Sequence, residues 1–208
     1  RSALLFPPSV FSPPLVHSLS TVSSLLAARV PRLLSRPVSP DETAHRVTVA
    51  LAPGVPAQFH AEFMRRTGIR LLDGWGSTET NFVLGTTIEH QQPGLMGPLF
   101  EGFDARVIDD RGQDIADGTA GELIVRADEP LAFAHEYFRA PDKTAEAWRD
   151  RWFHTGDRVV SKADGYFRFC ARARDAIPRG GHDISSLAVR TLRTRPLTSS
   201  TAAALPVP

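Results

Sequence analysis

The stretch HRVTVALAPGVPAQFHAEFMRRTGIRLLDGWGSTET, from His45 to Thr80, decides the fold class. His45 to Ala52 is β-branched and apolar, the pattern of a buried strand. Pro53 and Gly54 turn the chain, and Pro56 suits the first turn of a helix. Phe59 and Phe63 stand four apart and share one helical face. Gly68 falls where that helix would stop. Ile69 to Leu72 is a second short strand, which runs into a glycine-rich loop from Asp73 to Glu79. Strand, helix, strand, then a glycine-rich loop at the strand's C-terminal end is where α/β folds hold ligands.

Beyond Gly94 the pattern becomes β-rich. Ala105 to Ile108 and Glu122 to Val125 read as strands joined through the turn chemistry of Asp109-Asp110-Arg111-Gly112. Val159-Val160 and Tyr166 to Phe169 flank Lys162-Ala163-Asp164-Gly165, a hairpin signal. Pro141 to Trp148 reads as a short helix with proline in its first turn. A mixed α/β fold with a small barrel-like β subdomain is expected.

The 208 residues suffice for one or two compact domains, and 42% hydrophobic with 23% charged residues is ordinary globular usage. A net charge of +1 points to neither a nucleic acid nor a membrane partner. Three arginines in the tail, Arg190, Arg193 and Arg195, are too few for a nucleic-acid contact. Cys170 is the single cysteine, which fits a reducing, cytoplasmic setting; as it follows an apolar run, a buried thiol is expected rather than a nucleophile. No apolar run is long enough to span a bilayer. No acidic residue precedes Asp41 or follows Asp183. Both ends are therefore expected to be biased and poorly ordered.

Three motifs carry chemistry. In Gly74-Trp75-Gly76-Ser77-Thr78-Glu79-Thr80 the glycines allow close backbone approach to a ligand. Ser77 and Thr78 offer hydroxyls, and the Glu79 carboxylate suits a hard cation, so a phosphate-bearing ligand fits. A plain Gly/Ser/Thr loop is the alternative. In Trp152-Phe153-His154-Thr155-Gly156-Asp157 the aspartate, at a strand entrance, could accept from two neighbouring hydroxyls, as on a ribose; an Asp in a turn is the alternative. Arg172 to Gly181 reads as a mobile connection with anion contacts.

Together, in this order, the three resemble the AMP-forming adenylating superfamily of acyl-CoA synthetases, luciferases and peptide-synthetase adenylation domains. The resemblance runs from about Val47 to Ser186. Gly74 to Thr80 is similar to the family's Tyr-Gly-x-Thr-Glu motif, with Trp75 replacing tyrosine. Phe153 to Asp157 matches its Tyr-x-Thr-Gly-Asp motif. Ala50 to Pro56 resembles the segment lining the adenine pocket. Gly94 to Gly102 and Gly121-Glu122-Leu123 resemble segments of the small barrel, and His135 to Thr144 the Gly-Tyr-x-x-x-Pro-x-x-Thr segment. Arg179 to Ser185 looks closest to carnitine or crotonobetaine CoA ligases.

The resemblance implies roles. Gly74, Trp75, Gly76, Ser77, Thr78, Asp157 and Arg172 would bind the nucleotide. Within that set Thr78 would contact the α-phosphate, Trp75 would stack on adenine, and Asp157 and Arg172 would grip the ribose. Thr78 and Glu79 would be catalytic, with Glu79 holding Mg²⁺. Arg174 falls at the hinge, and Gly180 and Gly181 on the CoA side. It implies ATP/AMP, Mg²⁺ and CoA as cofactors, a carboxylic acid as substrate, and an acid–thiol ligase as the enzyme class. Trp75, Asn81 and Phe82 fit either an acyl pocket or simple packing. The implied organisation is a biased N-terminal segment (1–40), the C-terminal part of an α/β nucleotide-binding subdomain (41–90), a β-rich barrel-like subdomain (91–171), and a hinge with a C-terminal remnant (172–208).

The family's Ser/Thr/Gly-rich phosphate loop with its lysine, and its C-terminal catalytic lysine, do not occur in these 208 residues, and the first residue is Arg1. A fragment, inactive alone, is the expected reading, with ends either read partly out of frame or divergent. Losing one preorganised donor costs about 10²–10³ in rate. A non-catalytic nucleotide- or partner-binding remnant is the alternative.

Overall fold

A computed structural model describes residues 21–172 and the backbones of two further strands, 176–179 and 182–185. The chain first builds a parallel sheet of β1 (Val22–Ser24), β2 (Val49–Leu51) and β3 (Arg70–Leu72), with β2 in the centre. Its register pairs Val22 with Val49 and Ala50 with Leu71. Parallel neighbours need crossovers, and helices supply them. The first contains α1 (Arg29–Leu34); the second is a 3-10 turn over Ala57–Phe59 running into α2 (His60–Thr67). Gly68 ends α2 in the left-handed region at φ 73, and its N–H donates to the Met64 carbonyl at 2.8 Å. Phe63, Val30, Leu33, Ala50, Ile69 and Leu71 form the buried core of this layer, with Phe59 packed against it.

The predicted strand at His45 to Ala52 is shorter than expected, because only Val49–Leu51 has strand neighbours on both sides. Poor order over residues 1–40 does not hold for 21–40. Val30 and Leu33 are core residues, β1 pairs with β2, and Ser39 caps the 3-10 turn Pro40–Glu42 through a capping box. Arg66 secures this segment. It donates through Nε to Glu42 Oε2 at 2.8 Å and through Nη2 to Glu42 Oε1. Its Nη1 reaches the carbonyls of Leu34 at 3.0 Å and Arg36 at 3.1 Å. The first twenty residues lie outside the described part.

The predicted glycine-rich loop is instead mostly a strand. β4 (Gly74–Ser77) and β5 (Asn81–Gly85) form a tight antiparallel hairpin, pairing Gly74 with Gly85 and Ser77 with Asn81. The segment after Leu95 then fastens this hairpin to the β-rich layer. Gly85 N–H donates to Pro98 O at 3.0 Å, Phe100 N–H to Val83 O at 3.0 Å, and Met96 N–H to Phe167 O at 2.8 Å.

The β-rich layer is a five-stranded antiparallel sheet. β10 (Phe167–Arg172), β9 (Trp152–Ser161), β7 (Ala120–Ala127) and β6 (Phe103–Ile108) lie in that order, and the short β8 (Trp148–Arg149) pairs with β9. The predicted helix stops at Ala147 as α3 (Pro141–Ala147), because Trp148 is taken into β8. Trp75, Leu84, Leu123, Val125, Phe153 and Val159 share one core, so the hairpin and the sheet pack as one body. Cys170 is half-buried, not buried as expected; it sits where the β9–β10 register shifts between Phe169 and Ala171. β11 (Ala176–Arg179) and β12 (His182–Ser185) pair antiparallel. Among the described residues no helix is long and apolar enough to cross a membrane.

Candidate functional site

An open cleft runs between the two layers. One wall is Pro53 to Phe59; the floor is Asp73 to Glu79 with Asn81 and Phe82. Tyr137, Phe153 to Asp157 and Arg168 to Arg172 close the other side, apart from Ala171. The α/β segment and the β-rich segment therefore face one shared space, as ligand sites between layers do.

The floor is built by the hairpin's own demands. A Cβ on Gly76 would lie 2.1 Å from the Asn81 carbonyl oxygen, so the close approach of the two strands by itself requires this glycine. In the turn, the Thr80 hydroxyl accepts the Ser77 N–H at 3.1 Å and the Ser77 hydroxyl accepts the Glu79 N–H at 3.2 Å. The Ser77 hydroxyl, expected to face a ligand, is thus engaged in holding the turn. Thr78 is exposed at the cleft.

The Glu79 carboxylate is gripped from outside the hairpin. Tyr137 donates its phenol to Glu79 Oε1 at 2.8 Å, Ala134 N–H donates to the Glu79 carbonyl at 2.7 Å, and Asn81 Nδ2 donates to Ala132 O at 3.2 Å. Burial works against ionisation here, but hydrogen bonds from Tyr137, Ser77 and the residue's own backbone, with the charge of Arg172, together hold the carboxyl below its usual range. Tyr137 carried no individual role within the His135 to Thr144 segment, and its immediate neighbours His135-Glu136 and Phe138 give no signal of a partner 58 positions away.

Asp73 is a second unanticipated group. It is buried, and its Oδ1 accepts the Gly54 N–H at 3.0 Å and the Gly74 N–H at 2.9 Å, tying the Pro53-Gly54 turn to the start of β4. Burial pushes its carboxyl up despite both amides.

Asp157 lies well inside β9, not at a strand entrance as expected. The strand bulges here: Gly156 takes φ 67, and the β7–β9 register shifts between Glu122 and Ile124. Glu122, from the opposite strand, accepts the Gly156 N–H at 3.2 Å through Oε1, and its Oε2 meets His154 Nδ1 at 3.2 Å. The Thr155 hydroxyl donates to Leu123 O at 2.7 Å and accepts the Asp157 N–H at 3.0 Å. The Asp157 carboxylate receives the Trp75 indole N–H on Oδ2 at 2.8 Å, and Arg172 Nε stands 3.2 Å from Oδ1. Burial raises this carboxyl above its usual range, with Trp75 and Arg172 pulling it partly back.

The turn at Thr78-Glu79 and the carboxylate at Asp157 thus open on the same cleft, joined through Trp75. Arg174, Gly180 and Gly181 lie outside the described residues. Among the described residues no group of three His, Cys, Asp or Glu could form a metal cage. A single carboxylate at Glu79 suits Mg²⁺, which binds through one or two protein carboxylates plus phosphate and water.

The chain matches the family model described as "AMP-binding enzyme" over residues 10–137, more than half its length. It is 29% identical over 180 residues to the crotonobetaine/carnitine–CoA ligase of Proteus mirabilis, covering 83% of this chain and 34% of that protein. It is 33% identical over 180 residues to the 4-hydroxybenzoate–CoA/benzoate–CoA ligase of Rhodopseudomonas palustris, covering 83% of this chain and 32% of that protein. Among solved structures, ATP-bound MatB from Rhodopseudomonas palustris superposes with a TM-score of 0.71 at 27% identity, over 86% of this chain and 36% of that chain. The chain spans about a third of the length of the curated relatives it matches.

Proposed function

The chain belongs to the AMP-binding enzyme family, and from that premise we propose that it contributes the adenylate-binding cleft of an AMP-dependent acyl-CoA ligase. In that reaction a substrate carboxylate attacks the α-phosphate of ATP and pyrophosphate leaves. The CoA thiol then attacks the acyl carbon, and AMP leaves. The relatives named as CoA ligases support this class, and the whole reaction belongs to the whole protein.

The observation that carries the reading is the indole-to-carboxylate bond of 2.8 Å between Trp75 and Asp157, which brings two distant motifs to one cleft. Asp157 accepts the ribose hydroxyls, and Arg172 flanks them. Thr78 donates to the α-phosphate, and the ring of Trp75 offers a face to adenine. Mg²⁺, when bound, supplies charge neutralisation on the phosphates, and Glu79 would hold it. Arg174 serves as the hinge, and Gly180 and Gly181 face the CoA side. Catalysis on such a frame is positioning and charge stabilisation. The single cysteine fits a cytoplasmic location.

Calorimetry with AMP tests the reading. Binding is expected, and Asp157→Asn should weaken it by about 10-fold or more, the worth of a charge-assisted hydrogen bond. Absence of AMP binding, or equal binding by the variant, overturns it.

A further inference from the structure

Asp157 is held by two donors of unlike kind. The Trp75 indole meets Oδ2 at 2.8 Å, and the Arg172 guanidinium meets Oδ1 at 3.2 Å. Each oxygen therefore has one donor already and one lone pair to spare. The two donors do not have equal freedom. The Arg172 side chain is 69% exposed, so it holds its geometry loosely. Trp75 is 7% exposed and packed in the core with Val83, Leu84 and Phe153, and its strand is pinned by the pairing of Trp75 with Leu84. A rigid ring with one N–H fixes direction as well as distance.

We propose that Trp75 is a positioning residue for Asp157: its indole N–H sets the plane of the carboxylate so that the two remaining lone pairs meet a vicinal diol. This rests on the reading that Asp157 accepts ribose hydroxyls. The adjoining contacts fit this role. Asp157 is fixed along the backbone by Thr155, whose hydroxyl accepts its N–H at 3.0 Å. That contact places the Cα, and the side-chain donors on Oδ1 and Oδ2 orient the carboxylate. A locked acceptor loses little freedom when a diol arrives, so its preference for a diol over a ligand lacking one is large. Removing the N–H should erode that preference more than it erodes affinity for the rest of the ligand. It also withdraws one of the two groups that counter the burial of this carboxyl.

The test measures AMP against 2′,3′-dideoxy-AMP on the unaltered protein, Trp75→Phe, Trp75→Tyr and Asp157→Asn. The preference for AMP should fall on the order of 10-fold in Trp75→Phe; any change in contact with adenine acts on both ligands alike and cancels in that ratio. Retention of the full preference in a folded Trp75→Phe or Trp75→Tyr protein overturns the proposal. If Asp157→Asn keeps the preference too, the diol reading of Asp157 itself falls; if only the Trp75 variants keep it, that reading stands and the positioning role is rejected. Should neither Trp75 variant fold, the indole N–H resonances of the unaltered protein decide. Both ligands share the adenine, so the diol must account for the difference: one resonance should move further with AMP than with dideoxy-AMP, and identical shifts with both ligands also overturn the proposal.

Discussion

Two buried carboxylates in this molecule each sit beside an arginine, and they behave in opposite ways. Glu42, in the parallel-sheet layer, faces Arg66; their side chains are 7% and 3% exposed. Arg66 donates twice to Glu42 and spends another nitrogen on two backbone carbonyls, and the Ser39 N–H adds a further donor to Glu42. The Arg66 hydrogen bonds hold the Glu42 carboxyl below its usual range against the burial that would raise it. Asp157, in the cleft, has a neutral indole and an arginine that is mostly in solvent. There burial wins and the carboxyl is raised. The first acid is compensated for the sake of the fold. The second remains under-compensated in a cleft, which is where groups that await a ligand are found.

The largest expected effect breaks the compensated side. Arg66→Leu leaves Glu42 buried without its cation, and loss of one partner of a buried pair typically costs about 3–5 kcal/mol. Urea unfolding should show that loss, with residues 21–42 becoming sensitive to proteolysis first. A loss under about 1 kcal/mol would mean that Glu42 is wetter than its burial indicates.

Stability against pH sharpens the contrast, because the two groups pull in opposite directions. Glu42 has a lowered folded pKa, so its contribution is present above the ordinary carboxylate range and is lost as pH falls through the lowered value. Asp157 and Asp73 have raised folded pKa values, so their contributions are greatest while protonated and are lost as pH rises through those values. Asp157→Asn mimics the protonated form. It should therefore melt as high as the parent protein or higher at neutral pH, with the gap closing near pH ~4. Thermal melts across that range would show it. A variant that melts far lower at pH 7 would make Asp157 a structural acid like Glu42.

The smallest effect concerns the other cleft acid. Tyr137→Phe removes only the phenol that donates to Glu79, at a cost of about 0.5–1.5 kcal/mol. The Glu79 carboxyl should then titrate closer to its usual value, which carboxyl-labelled NMR would detect. An unchanged titration would place the control of Glu79 in the Ser77 turn.

Much of the local architecture was legible. The βαβ pattern from His45 to Leu72, the stop at Gly68 and the hairpin around Asp164-Gly165 all appear, since periodicity and turn chemistry act over a few neighbouring residues. The reading of Gly74 to Ser77 as a loop failed because glycines that suit a ligand loop also suit a hairpin whose strands nearly touch. Order in residues 21–40 was missed because a lack of acidic residues resembles bias, while the cation that anchors the segment comes from a distant helix.

The sequence by itself marked the βαβ unit, the β-rich half with its hairpin turn, and which residue types, in which order, could serve a nucleotide. Only the tertiary structure decided their partners. Gly54 finds Asp73 across 19 positions, Arg66 finds Glu42 across 24, Tyr137 finds Glu79 across 58, and Trp75 finds Asp157 across 82. Such meetings depend on how two layers pack, and no local periodicity encodes a hydrogen bond whose ends are joined only when the core between them closes.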